Sequence, residues 1–199
     1  MEQTSPLALR ADADERGEEA ALIRAAQADP AAFGALYQRY FARVYWYLRA
    51  RTPTAEDAGD LAQQVFLHAL EALPRYRERG LPFAAWLFRI ARNSASNFGR
   101  RQRPALSWEQ LPVASADAAP DPETQALRND DLRRLDALLA TLSSEKRDYL
   151  ALRFAAGLSI PEIAAVVGKR EAAVRKQITR TLHALKEELS EKEQSDAHR

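Results

Sequence analysis

The side chains with the most chemistry to offer are cations and amides set at helical spacing in two separate stretches. Near the C-terminus, Lys169 and Arg170 precede Arg175, Lys176, Thr179 and Arg180. Such groups donate to phosphate oxygens and, from a helix lying in a major groove, to base edges. Arg175 and Lys176, early on the helix, are candidates for guanine contacts; Lys169, Arg170 and Arg180 suit phosphates. Upstream, Arg89, Arg92, Asn93, Ser96, Asn97, Arg100 and Arg101 follow Trp86. Arginine offers charge to phosphates, asparagine offers amides to base edges, and tryptophan offers a ring on which an unpaired base can stack. The plainer reading is a solvated basic face beside a tryptophan that mostly packs. Between Arg75 and Arg103 the only acid is Glu78, and that concentration of charge favours phosphate contact.

Little else in the chain can do chemistry. There is no cysteine, which excludes disulfides, thiolate catalysis and zinc–cysteine sites. His68, His183 and His198 are scattered; His68 and Glu71 read as a surface pair on one helix face. No phosphate-binding glycine loop, nucleophile elbow or metal cluster is present. The expectation is a non-enzyme without cofactor, metal or small-molecule substrate. No apolar run reaches the ~20 residues that span a bilayer. Met1 to Glu19 is acidic and polar and does not read as a signal peptide.

Helices must carry these groups. Ala, Leu, Arg and Glu dominate, and only 7 of the 199 residues are glycine, a composition suited to an all-α protein. Residues 1–17 have little apolar content and are expected to be a disordered acidic N-terminus. Glu18 to Ala28 reads as a first helix. Asp29-Pro30 caps a second, with Phe33, Leu36, Tyr37, Tyr40, Val44, Tyr47 and Leu48 at helical spacing. Thr54 to Asp57 resembles a capping box, and Leu61, Val65, Phe66 and Leu70 form the next inner face. After Pro82 a helix runs to about Arg101, with Phe83, Leu87, Ile90, Ala91 and Phe98 as its apolar stripe.

Gln102 to Glu123 holds four prolines and no long helical period, so 104–123 reads as a flexible linker between two small domains, 18–103 and 124–190. In the second domain Pro122 to Leu142 is helical, Ser143 or Ser144 caps another helix and Gly157 stops it. Ser159-Ile160-Pro161-Glu162 is a capping box, Gly168 ends that helix, and the last helix runs from Glu171 to about Leu189. Its core face is Val174, Ile178, Leu182, Leu185 and Leu189. A short helix, a tight turn and a longer basic helix form the layout of a DNA-reading helix-turn-helix. Residues 191–199 read as a polar tail.

Taken together, these segments resemble the extracytoplasmic-function (ECF) sigma factors of the sigma-70 family. Asp60 to Leu70 is similar to the family's core-polymerase-binding helix, Tyr76 to Asn93 to its promoter −10 region, and Leu158 to Leu185 to its −35-binding region. The resemblance implies a cytoplasmic initiation factor that directs core RNA polymerase to promoter DNA. Glu56, Asp57, Asp60, Gln63 and Gln64 would dock on the β′ coiled coil, with the β flap as a further contact. Trp86, Arg89, Arg92, Asn93, Asn97, Arg100 and Arg101 would capture the single-stranded −10 element. Lys169, Arg170, Arg175, Lys176, Thr179 and Arg180 would read the −35 duplex. It also implies an anti-sigma factor partner, which in such systems can hold the chain at the inner membrane face. The family often has an acid where Gln64 stands and an arginine where Gln177 stands. The alternative is a helix-turn-helix regulator that binds duplex DNA alone; it explains Leu158 to Leu185 but not the arginine-rich upstream helix.

Overall fold

The computed structural model describes residues 6–78, 81–101, 135 and 137–196. Among them every regular element is helical. The first domain comprises α1 (Pro6–Ala28), α2 (Phe33–Arg49), α3 (Ala55–Ala72) and α4 (Phe83–Arg101), with 3-10 turns at Pro30–Ala32 and Leu73–Arg75. The second has helical residues 137–141, α5 (Ser144–Leu150) continued by a π-turn (Ala151–Ala155), α6 (Ile160–Val167) and α7 (Glu171–Asp196). The expected linker lies outside the described residues.

The boundaries follow local chemistry. The Asp29 carboxylate accepts from the Ala31 amide beside Pro30, and the Thr54 hydroxyl accepts from the Asp57 amide. The Ser159–Glu162 capping box is complete in both directions. Gly157 and Gly168 turn the chain at φ of 65° and 70°, a left-handed conformation that costs a residue with a Cβ. Ser143, not Ser144, caps α5.

Two ends differ from the expectation. α1 begins at Pro6 rather than Glu18, so the segment expected to be disordered is helical from there on. Proline suits a first helical position, and Leu, Ala, Arg and Glu follow it at high density. α7 continues through the expected polar tail to Asp196, because Glu191-Lys192-Glu193-Gln194 are good helix formers that need no core.

The core of the first domain is Tyr40, Val44, Tyr47 and Leu48 of α2 against Leu61, Val65 and Phe66 of α3 and Phe83, Leu87 and Phe88 of α4. Tyr40 and Phe83 pack with ring centroids 5.3 Å apart, and Tyr47 meets Phe88 edge-on. The buried stripe of α4 is wider than periodicity predicts. Phe88 is fully buried, whereas Ile90 and Phe98 are half-buried. The helix is covered from two sides, by α2 and α3 and by α6 of the second domain. In α7, Val174, Ile178 and Leu185 are buried as expected and Leu189 is half-buried, but Thr181 takes the inward position and Leu182 is 41 % exposed. Thr181 tolerates burial because its hydroxyl donates to the Gln177 carbonyl at 2.9 Å.

Candidate nucleic-acid interface

α7 enters from the Gly168 turn, and its outer face presents Arg175, Lys176, Thr179 and Arg180 around Glu171 and Ala172 as one open surface. These are four of the six side chains expected to read duplex DNA, and all four are exposed. Arg170 is exposed in the turn beside them. Lys169 is already paired: its ammonium meets the Glu145 carboxylate at 2.5 Å and lies 5.9 Å from the Tyr149 ring centre. The hydrogen bond to Glu145 raises the Lys169 pKa, and the same bond holds the Glu145 carboxyl below its ordinary range. Glu171 is an acid on the face that sequence reasoning did not single out. Its place in the first turn complements the helix dipole.

The upstream basic helix is arranged differently. Trp86 is half-buried against Tyr76 and Phe83, with centroids at 5.0 and 5.3 Å, so one face packs. The loop before α4 is stitched at its start. Gln27 of α1 donates to the Leu73 and Tyr76 carbonyls, and the Tyr76 hydroxyl donates to the Leu81 carbonyl at 3.0 Å. Burial, then Glu78 and Glu19, push the Tyr76 phenol up to about 12. Asn93, Asn97 and Arg100 are exposed, with Arg100 donating to Asn97. The Arg101 side chain lies outside the described residues.

Arg89 and Arg92 point into the second domain. The Arg89 guanidinium donates twice to the Ala165 carbonyl in α6, at 2.9 and 2.5 Å. Arg92 Nε donates to Asp148 of α5 at 2.6 Å. Asp148 is 4 % exposed. Its carboxylate also accepts from the Tyr47 hydroxyl at 2.8 Å and from Arg51 at 2.5 Å. Burial disfavours charge on Arg92, but the hydrogen bond and charge of Asp148 outweigh it, and the guanidinium pKa is raised. Burial first, then the Asp148 carboxylate, push the Tyr47 phenol strongly up against the opposing charges of Arg51 and Arg92. Arg43 adds further inter-domain bonds, from Nε to the Ala156 carbonyl at 2.8 Å and from its other end to the Gly157 carbonyl at 3.5 Å. Tyr47, Arg51, Arg43 and Asp148 were missed as functional residues. The signal for Asp148 was an acid four residues before the buried Leu152, hence in phase with it on one helix face.

On α3, Glu56, Asp60, Gln63 and Gln64 are exposed and Asp57 is half-exposed at the first turn. Leu67 continues this face with 55 % exposure. It was missed because a leucine in an amphipathic helix is ordinarily assigned to the core, yet its spacing from Gln63 and Gln64 sets it outside.

A helical domain with a basic, aromatic-bearing helix, followed by a helix-turn-helix domain, defines a promoter-reading subunit class. Residues 36–105 match the model described as Sigma-70 region 2, and residues 132–185 match Sigma-70, region 4. The chain is 43 % identical over 151 residues to the ECF RNA polymerase sigma factor SigD of Mycobacterium tuberculosis, covering 72 % of this chain and 70 % of that protein. It is 33 % identical to the RNA polymerase sigma factor CnrH of Cupriavidus metallidurans, covering 88 % and 98 %. A solved structure of CnrH in complex with the cytosolic domain of CnrY is similar in fold, with a TM-score of 0.64 and 28 % identity over 85 % of this chain and 95 % of that one. The chain belongs to the ECF RNA polymerase sigma factor family.

Proposed function

We propose that this sigma factor brings core RNA polymerase to its promoters through three surfaces that divide the work. Residues 18–103 dock on polymerase and bind the −10 strand, 124–190 read the −35 duplex, and 104–123 link them. The exposed face of α3, with Glu56, Asp57, Asp60, Gln63, Gln64 and Leu67, is the docking surface on polymerase. It is an acidic and amide rim around one apolar side chain, a composition suited to a basic coiled-coil partner. The −10 surface is α4, where Trp86, Arg89, Arg92, Asn93, Asn97, Arg100 and Arg101 meet the displaced strand. The −35 surface is α7 and its turn. The chemistry of RNA synthesis belongs to the polymerase, and this chain supplies recognition without catalysis of its own. The observation that carries this reading is the order of the two matched regions on one chain. A duplex-binding regulator has no use for the first of them.

Work on promoter DNA with polymerase supports a cytoplasmic location. No described helix is long and apolar enough to cross a membrane. A similar sigma factor has been seen bound to the cytosolic domain of another protein, which supports a protein inhibitor of the anti-sigma type as a further partner.

The test is transcription in vitro from a random promoter library, with core polymerase and with or without this protein. Transcripts sharing two spaced upstream elements, made only when both components are present, are expected. Sequence-specific duplex binding without polymerase-dependent initiation would overturn the reading. In the same assay Asp60→Lys should reduce holoenzyme formation while leaving duplex binding by α7 unchanged.

A further inference from the structure

We propose that the cleft between the chain just past α2, the last turns of α4 and the start of α5 binds a phosphate group, free or on a small molecule, through Arg51, Arg100 and Arg147. The assignment does not depend on a role for α4 at the −10 strand. The cleft measures about 300 Å³, which reaches the lower end of small-molecule sites. Ala95 is buried in its wall and too small to fill it, and Ser96 and Ser144 bring exposed hydroxyls to its rim.

The three guanidiniums bring more positive charge than their neighbours neutralise. Arg51 meets Asp148 at 2.5 Å, but Asp148 is shared with Arg92. Arg100 donates to Asn97, a neutral amide. Among the described residues no acid pairs with Arg100 or Arg147. The Nε donors of Arg51 and Arg147 are both buried without a hydrogen-bond partner among those residues, although buried polar atoms are nearly always satisfied. Burial, then the charge of Arg51, lowers the Arg147 pKa, so two cations are held together against their repulsion. A phosphate group answers this arrangement. It carries about two negative charges at neutral pH and three acceptor oxygens, and guanidinium forks match its geometry. Seated in the cleft, it meets the free ends of the forks, and its charge offsets the cost of the unmet Nε donors. A carboxylate brings one charge and two oxygens, too little for three cations. The walls come from both domains, so a ligand held there also strengthens their contact.

The test is isothermal titration of the full chain with inorganic phosphate and with AMP, at fixed ionic strength balanced by chloride. Saturable binding at one site is expected. Arg147→Gln should weaken it by about tenfold or more, the loss of one charge-assisted contact. Ser96→Asp removes no cation but sets a carboxylate at the rim, and it should weaken binding as strongly. A folding defect in Arg147→Gln therefore cannot imitate the result. Arg39→Gln, an exposed arginine at the far end of α2, should bind as the wild type does. Tighter binding of AMP than of phosphate supports the site and assigns it an organic ligand; equal binding supports it and assigns inorganic phosphate. No saturable binding of either probe, or equal affinity in wild type, Arg147→Gln and Ser96→Asp, would overturn the proposal. A single-stranded oligonucleotide of about 12 nucleotides is titrated in parallel. If it binds, neither small probe does, and Arg147→Gln weakens it, the cations belong to the DNA backbone and the proposal fails.

Discussion

At the residue scale, acids sit beside the cations proposed to face DNA. Glu145 on Lys169 is the exposed instance. Its lowered pKa keeps it ionised as pH falls through the ordinary carboxylate range, so the stabilisation from this pair is present above that range and is lost only as pH drops through the lowered value. At neutral pH the pair is formed, and a duplex phosphate must displace Glu145 to reach Lys169. Glu145→Gln should therefore tighten duplex binding by a few-fold on every sequence, seen in fluorescence anisotropy with matched and scrambled duplexes. Equal affinity of wild type and variant would mean that Lys169 does not contact DNA. Arg175→Ala tests the opposite kind of role. If its guanidinium reads a base edge, the variant loses about 1–3 kcal/mol of discrimination at one base pair. A uniform loss across sequences would assign Arg175 to a phosphate. The basic helix positions proposed for DNA contact were visible in the sequence because cations at helical spacing need no tertiary knowledge. Their pairing with Glu145 and Asp148 was not, because each bond joins residues far apart in the chain, and an acid near a turn reads as solvated until its neighbours are known.

Turns and caps fix where the capped helices start, and those starts were readable to within a few residues. The capping box at Ser159 and the glycine at 168 set the angle between α6 and α7, and with it the presentation of the recognition face. Ser159→Ala should cost about 0.5–2 kcal/mol of stability in chemical denaturation. Gly168→Ala should cost about 1–2 kcal/mol. A Cβ there would meet nothing within 4 Å, so the whole penalty comes from φ of 70°. Asn, which tolerates the left-handed region, should recover part of it. If Gly168→Asn is no better than Gly168→Ala, that account of the turn fails. What periodicity could not show is which apolar side chains a second domain would cover. Phe88 is buried because α4 packs on two sides, and Leu67 is exposed because α3 keeps one face uncovered. Helix ends without caps were also illegible. α1 and α7 both exceed their expected lengths, since a run of good helix formers has no internal signal to stop.

At the scale of the whole molecule, two domains that sequence reasoning treated as independent are joined by bonds spanning most of the chain. The sequence supports two units and says nothing of their docking, because a stripe shows which residues are buried and not which unit covers them, and the buried side chains of both domains form one apolar cluster. With the domains docked as described, the full chain should unfold in one cooperative transition under denaturant. Asp148→Asn should split or broaden it, as each domain then melts on its own. Two separate transitions in the wild type would show that the domains do not stabilise each other.

The π-turn at Ala151–Ala155 bears on this docking through its phase. Its Ala156 amide reaches back five residues to the Ala151 carbonyl at 2.9 Å, so one residue more than usual is absorbed in a single turn. In an unbroken α-helix positions 148 and 156 would lie about 80° apart around the axis; absorbing the spare residue brings them within about 20°. The wide turn thus lets the Asp148 carboxylate and the Ala156 carbonyl address the same neighbouring domain. Deleting Ala155 removes neither group and takes out the spare residue: the two groups then stand seven positions apart in an ordinary α-helix, again within about 20°, so docking should survive. One cooperative unfolding transition in that deletion variant would show that the wide turn serves phase alone, and two would show that its own width is needed.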